Sequence, residues 1–150
     1  MKRKAIVIDI DNCVLNSQFI LDEIHKLGLK GEDKWDYFYK HCNSDRVKAI
    51  KTTKNFYTII RYGINDLCCI ISTARNERCS DETLKKLARE KIIFDRSYWR
   101  KDGDLRPASE VKREHLLQIM EEFDVIAFID DDLQNCEMAR NLGILALRRV

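Results

Sequence analysis

The alternation of short apolar runs with helix-period segments predicts an α/β fold carrying a parallel sheet. The runs, bounded by polar residues, fall at Lys4–Ile8, Leu67–Ser72, Ile92–Phe94, Val125–Ile129 and Ile144–Leu147, five strands in all. Two of them, Ala5-Ile6-Val7-Ile8 and Val125-Ile126-Ala127-Phe128-Ile129, lead straight into acids: Asp9-Ile10-Asp11 and Asp130-Asp131-Asp132. In an open α/β sheet ligands bind beyond the carboxyl ends of the strands, so these acids are expected to face a crevice.

Between the first two runs, Ile20, Ile24 and Leu27 form one helical stripe ending at Gly28, and Val47, Ile50, Tyr57 and Ile60 form another ending at Gly63. Each glycine suits a helix C-cap. Ser80 is placed to cap a helix whose Leu84, Leu87 and Ala88 face inward, and Ser109 to cap one carrying Val111, Leu116, Ile119, Met120 and Phe123. Pro107 lies in the polar loop just before that second cap. Asp132 is the expected cap of a last helix that ends near Leu142, with Gly143 beyond.

The 150 residues fit one domain, 1–150, with room for only a small helical insertion at about 16–44. A net charge of +2 excludes a strongly basic nucleic-acid wrapper, so any basic footprint is local. Lys48, Lys51 and Lys54 on one helix and Arg96, Arg100, Lys101 and Arg106 in a loop are the residues for it, or else they are a solvated face. Tyr98 and Trp99 read equally as base-stacking or core aromatics. Cys13, Cys42, Cys68, Cys69, Cys79 and Cys136 show no C-x-x-C pair, which points to reduced thiols and a cytoplasmic protein. The apolar stretch after Lys2-Arg3-Lys4 is too short for a signal peptide, and no run reaches transmembrane length, so no membrane association is expected.

Asp9-x-Asp11 at a strand end reads by itself either as a turn device or as a pair of crevice acids. Ser72-Thr73-Ala74-Arg75 brings a hydroxyl and a guanidinium to the end of the next strand, able to hold phosphate oxygens or to serve as a turn threonine and a solvated arginine. Lys112 sits early in its helix, where a cation opposes the macrodipole, so it either serves an anion or is solvated. Carboxylates converging with Asp130 and Asp131 repel one another, and oxygen-only ligation of this kind suits Mg²⁺. His25, His41 and His115 lack metal-ligand spacing, and no Ser-His-Asp set, nucleophile elbow or P-loop is present.

Taken in order, Asp9-x-Asp11, Thr73, Lys112 and Asp130-Asp131 resemble the four motifs of the haloacid dehalogenase superfamily of phosphotransferases across nearly the whole chain. The resemblance implies a Rossmann-like sheet with helices on both faces, a minimal helical cap, and a phosphoric monoester hydrolase working through an aspartyl-phosphate. It implies that Asp9 attacks phosphorus, while Asp11 protonates the leaving oxygen and later deprotonates water. Mg²⁺ would be held by the Asp9 side chain, the Asp11 carbonyl and Asp130, with Asp131 supporting; Thr73 and Lys112 would hold the phosphoryl oxygens.

Trp99-Arg100-Lys101-Asp102-Gly103-Asp104-Leu105-Arg106, followed by Val111-Lys112, and Glu137-Met138-Ala139-Arg140-Asn141-Leu142-Gly143-Ile144 are similar to the 3′-phosphatase domain of bacteriophage polynucleotide kinase/phosphatase. Trp35-Asp36-Tyr37-Phe38 with Asp45 adds to that likeness. It implies phosphate binding by Arg75 and Arg100, and as substrate a 3′-phosphate on a DNA or RNA end, with a separate kinase or ligase as possible partner. A nucleotidase acting on free mononucleotides is the alternative, and a non-catalytic module binding a nucleic-acid end or a protein is a lesser one. Asn12-Cys13 in place of Gly-Thr, Thr73-Ala74 in place of Ser-Gly, and Asp132 in place of arginine bear on substrate preference.

Overall fold

Five parallel strands, β1 (Arg3–Ile8), β2 (Cys68–Asn76), β3 (Arg96–Arg100), β4 (Phe123–Asp130) and β5 (Ala146–Arg148), form one sheet in the order β3-β2-β1-β4-β5. The computed structural model describes residues 1–63 and 65–150. Helices α1 (Gln18–Leu27), α2 (Gly31–His41) and α3 (Lys51–Gly63) connect β1 to β2; α4 (Ser80–Arg89) follows β2, α5 (Ala108–Glu122) follows β3, and α6 (Leu133–Asn141) follows β4.

Strand alternation divides the core into two halves. Ile6, Ile8, Cys69, Ile71, Ala127 and Ile129 pack with Ile20, Phe38, Tyr57 and Leu87 of α1 to α4. Ala5, Val7, Cys68, Ile70 and Phe128 pack with Leu116 and Ile119 of α5 and Cys136 and Ala139 of α6. Helices therefore cover both faces, as the apolar runs of β1, β2 and β4 require. After β3 the chain crosses to the far side of β1, so the order reverses between β1 and β4, and the crevice expected at such a reversal opens there.

Several local expectations shift. The third strand is Arg96–Arg100, not Ile92–Phe94: Ile92 is buried beneath the end of α4, its N–H bonding the Leu87 carbonyl. An edge strand with charged ends carries no apolar run to mark it. Leu27 is exposed, and Val47 and Ile50 precede α3 instead of lying within it. Gly28 does take the left-handed C-cap conformation (φ 66°), whereas Gly63 does not. Ser80 and Ser109 fall inside their helices, whose N-caps are Cys79 and Pro107. Thr83 and Lys86 turn inward on α4, and Leu84 is largely exposed. Asp132 caps α6 as expected, accepting the Asn135 N–H, and Gly143 beyond it has φ 81°. All six cysteines are free thiols. Among the described residues no helix is long and apolar enough to cross a membrane.

Candidate active site

The same alternation aims the acids. Val7 and Phe128 face α5, so Asp9 and Asp130, two residues further along their strands, face it too. Register pairs Ile8 with Ile129, and the Asp9 N–H bonds the Ile129 carbonyl at 3.0 Å, which sets the two carboxylates side by side. Lys112 rises from α5 to meet both, its Nζ 2.9 Å from Asp9 Oδ1 and 2.6 Å from Asp130 Oδ2. All three side chains are buried. Burial alone would strip the proton from Lys112, but Asp9 and Asp130 hold its pKa above the ordinary lysine value.

Asp130 is fully occupied by protein groups. Its Oδ1 accepts from the Asp132 N–H at 2.9 Å, and Asn135 Nδ2 reaches both oxygens at 3.2 Å. Asp131 is one residue further along the chain, and its carboxylate oxygen and that of Asp9 lie with Cys13 Sγ within 4.8 Å of one another. Geometry thus brings the Asp131 carboxylate beside Asp9, while Asp130 is engaged by Lys112, Asn135 and the Asp132 N–H.

Three carboxylates, Asp9, Asp130 and Asp131, thus share one cation, Lys112. Burial, then repulsion from Asp130 and Asp11, pushes the Asp9 carboxyl above the usual range despite Lys112; burial and Asp130 do the same to Asp131. A divalent cation would supply the missing two positive charges. The donor set fits Mg²⁺: two carboxylates and the Asp11 carbonyl, to which no donor bonds among the described residues. Cys13 does not belong to it, because burial keeps its thiol protonated and sulfur is a soft ligand.

Asp11 lies across the turn from Asp9. Arg75 Nε and Nη2 donate to its two oxygens at 2.9 and 2.6 Å, and Ser17 Oγ donates at 2.8 Å. Burial acts to raise the Asp11 pKa, yet the Arg75 charge and these hydrogen bonds outweigh it and hold the carboxyl below its usual value. Arg75 is itself 2% exposed, and its other donors reach Asn43 Oδ1 (2.9 Å), Thr83 Oγ1 (3.1 Å) and the Cys42 carbonyl (3.3 Å). Every nitrogen of Arg75, the residue expected to bind phosphate, is bonded to a protein acceptor in this structure. Ser17, Asn43 and Thr83 belong to this network and carried no motif in the sequence.

Thr73 is fully buried within β2, its Oγ1 accepting the Arg75 N–H at 3.1 Å. Arg100 is also drawn to the protein: Nε bonds the Ala74 carbonyl at 2.9 Å, and Nη1 the carbonyls of Asp104 and Arg106 at 3.0 and 2.6 Å. It braces the loop after β3 against β2. The loop cations expected to draw in a polynucleotide are mostly neutralised, Arg96 by Glu122, Lys101 by Glu77, and Arg106 by Asp104 and Glu114. Tyr98 and Trp99 pack against the core.

Comparison with known proteins gives a family and a fold. The profile of the family described as the polynucleotide kinase PNKP phosphatase domain matches residues 3–148. A search of the curated proteins returned no match. Among solved structures, a Pnkp1/Rnl/Hen1 complex superposes with TM-score 0.76 at 19% identity, over 99% of this chain and 46% of that one. The class C acid phosphatase from Bacillus anthracis with tungstate bound gives 0.70 at 20% identity, over 90% and 54%. A haloacid dehalogenase-family enzyme from Bacteroides thetaiotaomicron, in complex with magnesium and inorganic phosphate, gives 0.60 at 16% identity, over 99% and 94%. At these identities the likeness is one of fold, and the chain spans about half the length of the first two. The match over residues 3–148 carries the assignment: the chain belongs to the family of PNKP phosphatase domains, phosphoric monoester hydrolases of the haloacid dehalogenase type.

Proposed function

We propose that the chain is a Mg²⁺-dependent phosphatase that removes the terminal 3′-phosphate from DNA or RNA ends through an aspartyl-phosphate. The observation that carries this reading is the contrast between two neighbouring acids. Asp9 faces the crevice beside Asp131, while Asp11 is held ionised by Arg75. A nucleophile and an acid/base need such separate environments.

Asp9 Oδ attacks phosphorus as the bond to the leaving oxygen breaks, and Asp11 delivers the proton to that oxygen. The proton arrives with the substrate, because a phosphomonoester has its second ionisation near about 6. Asp11, ionised again, then takes a proton from the water that hydrolyses the acyl phosphate. Lys112 and the Thr73 hydroxyl steady the phosphoryl oxygens. Mg²⁺, held by Asp9, Asp131 and the Asp11 carbonyl, would neutralise phosphoryl charge.

Helices α1 and α2 would form a minimal cap within a single domain, leaving the crevice open to a chain end. The family assignment and the presence of an RNA repair complex among the structural neighbours support a nucleic-acid end over a small metabolite, with a kinase or ligase acting on the same ends. Six free thiols suit the reducing cytoplasm. The test is to compare hydrolysis of a 3′-phosphorylated oligonucleotide with that of 3′- and 5′-mononucleotides, in Mg²⁺ and in EDTA. Preference for the oligonucleotide, lost in EDTA, is expected; preference for mononucleotides makes the protein a nucleotidase.

A further inference from the structure

Just past β5 the chain returns to the carboxyl edge of the sheet, where the Arg149 N–H bonds the Asp130 carbonyl at 2.9 Å. From there the Arg149 side chain crosses the mouth between β4 and β1, and its Nη1 donates to the Asn12 carbonyl at 3.0 Å. Arg148 Nε donates to the Asp131 carbonyl at 3.0 Å. Two guanidinium groups are thus oriented by backbone carbonyls at the loops bearing Asp11 and Asp131.

Among the described residues neither has a carboxylate partner, in contrast to Arg96, Lys101 and Arg106. Arg148 is exposed and Arg149 half-buried. A guanidinium has five N–H donors, and each of these has given one to a carbonyl, so a planar set remains to meet an anion. The crevice takes the reacting phosphate; an anion at its rim is the next phosphate of a strand.

We propose that Arg148 and Arg149 bind the internal phosphodiester adjoining the terminal nucleotide, and so favour a polynucleotide over a mononucleotide. This rests on the proposed 3′-phosphatase reading and adds to it the residues that recognise the strand.

The test measures kcat/KM for a 3′-phosphorylated oligonucleotide and for the corresponding 3′-mononucleotide across a range of salt concentrations, using the wild type, Arg149→Gln and Arg148→Gln. The expected result is that each substitution lowers the oligonucleotide-to-mononucleotide ratio about tenfold, mainly through KM, and reduces the salt slope on the oligonucleotide by about 1. Arg149→Lys should recover part of the ratio. Equal losses on both substrates would make Arg149 a support for the Asn12 loop and overturn the proposal; Arg148, being exposed, gives the same reading without that loop. A wild-type preference left intact in both variants sinks the arginine site alone. A wild type with no preference for the oligonucleotide sinks the polynucleotide reading and this inference with it.

Discussion

Arg75 grips Asp11 with two parallel hydrogen bonds, 2.9 Å from Nε to Oδ2 and 2.6 Å from Nη2 to Oδ1, and it does so from a fully enclosed position. The arrangement keeps Asp11 ionised, with a cation of its own apart from Lys112. It also ties the acid to α4 and to the connection after α2, through Thr83, Asn43 and the Cys42 carbonyl.

Removing that grip is predicted to harm both fold and turnover. Arg75→Ala leaves a largely buried carboxylate without its partner and should cost about 3 kcal/mol, at the low end for a broken buried pair because the Asp11 side chain is 25% exposed. Urea denaturation measures it. Since the Asp11 pKa is lowered on folding, the pair's contribution is complete above the usual aspartate value of 3.8 and is lost as pH falls below it. Arg75→Lys, which supplies a point charge without the fork, should lower kcat at least about tenfold.

Asp130 and Asp131 are predicted to separate cleanly in their response to Mg²⁺. The ion should raise the thermal midpoint of the wild type. Asp131→Asn should abolish most of that rise, while Asp130→Asn should lower the midpoint itself, by the equivalent of about 3 kcal/mol, because Lys112 and Asn135 lose their partner. Differential scanning calorimetry with and without Mg²⁺ distinguishes them. Loss of the Mg²⁺ effect in Asp130→Asn alone would make Asp130 the ligand, as expected from the sequence.

Below neutrality the fold should weaken through His115. Its buried ring bonds Ser72 Oγ at 2.9 Å and the Trp99 carbonyl at 3.1 Å, and burial is the main cause of a pKa pushed down to about 4 from 6.5. A group that resists its proton in the folded state destabilises the fold once the unfolded chain takes that proton up. Stability is therefore retained above pH 6.5 and falls towards pH 4 by up to about 3 kcal/mol. Unfolding curves across that range should show the slope, and His115→Gln should flatten it.

Strand β4 shows why part of the site was legible in the sequence and part was not. Its apolar run announced a buried strand leading into acids, and that of β1 did the same; β2 announced a buried strand leading to Thr73 and Arg75. Strand parity from Phe128 also marks Asp130 as the acid facing α5, a signal that motif matching passed over. Arg75 could be placed near the acids by its position just after the apolar run of β2, but nothing in one sequence says which acid a guanidinium will reach. Ser17, Asn43 and Thr83 come from three separate elements, and only the folded chain brings them to Arg75. β3 escaped because an edge strand needs no apolar run, and Arg148-Arg149 because they meet the site only through the last strand pairing.

Capping at the last helix gives a smaller check on local structure. The Asp132 side chain accepts the Asn135 N–H at 3.1 Å, so Asp132→Ala should cost about 1 kcal/mol in chemical denaturation.

Asp9 as the group that accepts the phosphoryl is the claim on which the chemistry turns, and acid quenching followed by peptide mass spectrometry tests it most directly. With Mg²⁺ and a 3′-phosphorylated oligonucleotide, an Asp11→Asn variant, slowed in hydrolysing the intermediate, should carry an alkali-labile phosphoryl group on the peptide containing Asp9, and Asp9→Asn should carry none. A phosphoryl group on a different residue, or turnover retained by Asp9→Asn, would contradict the account.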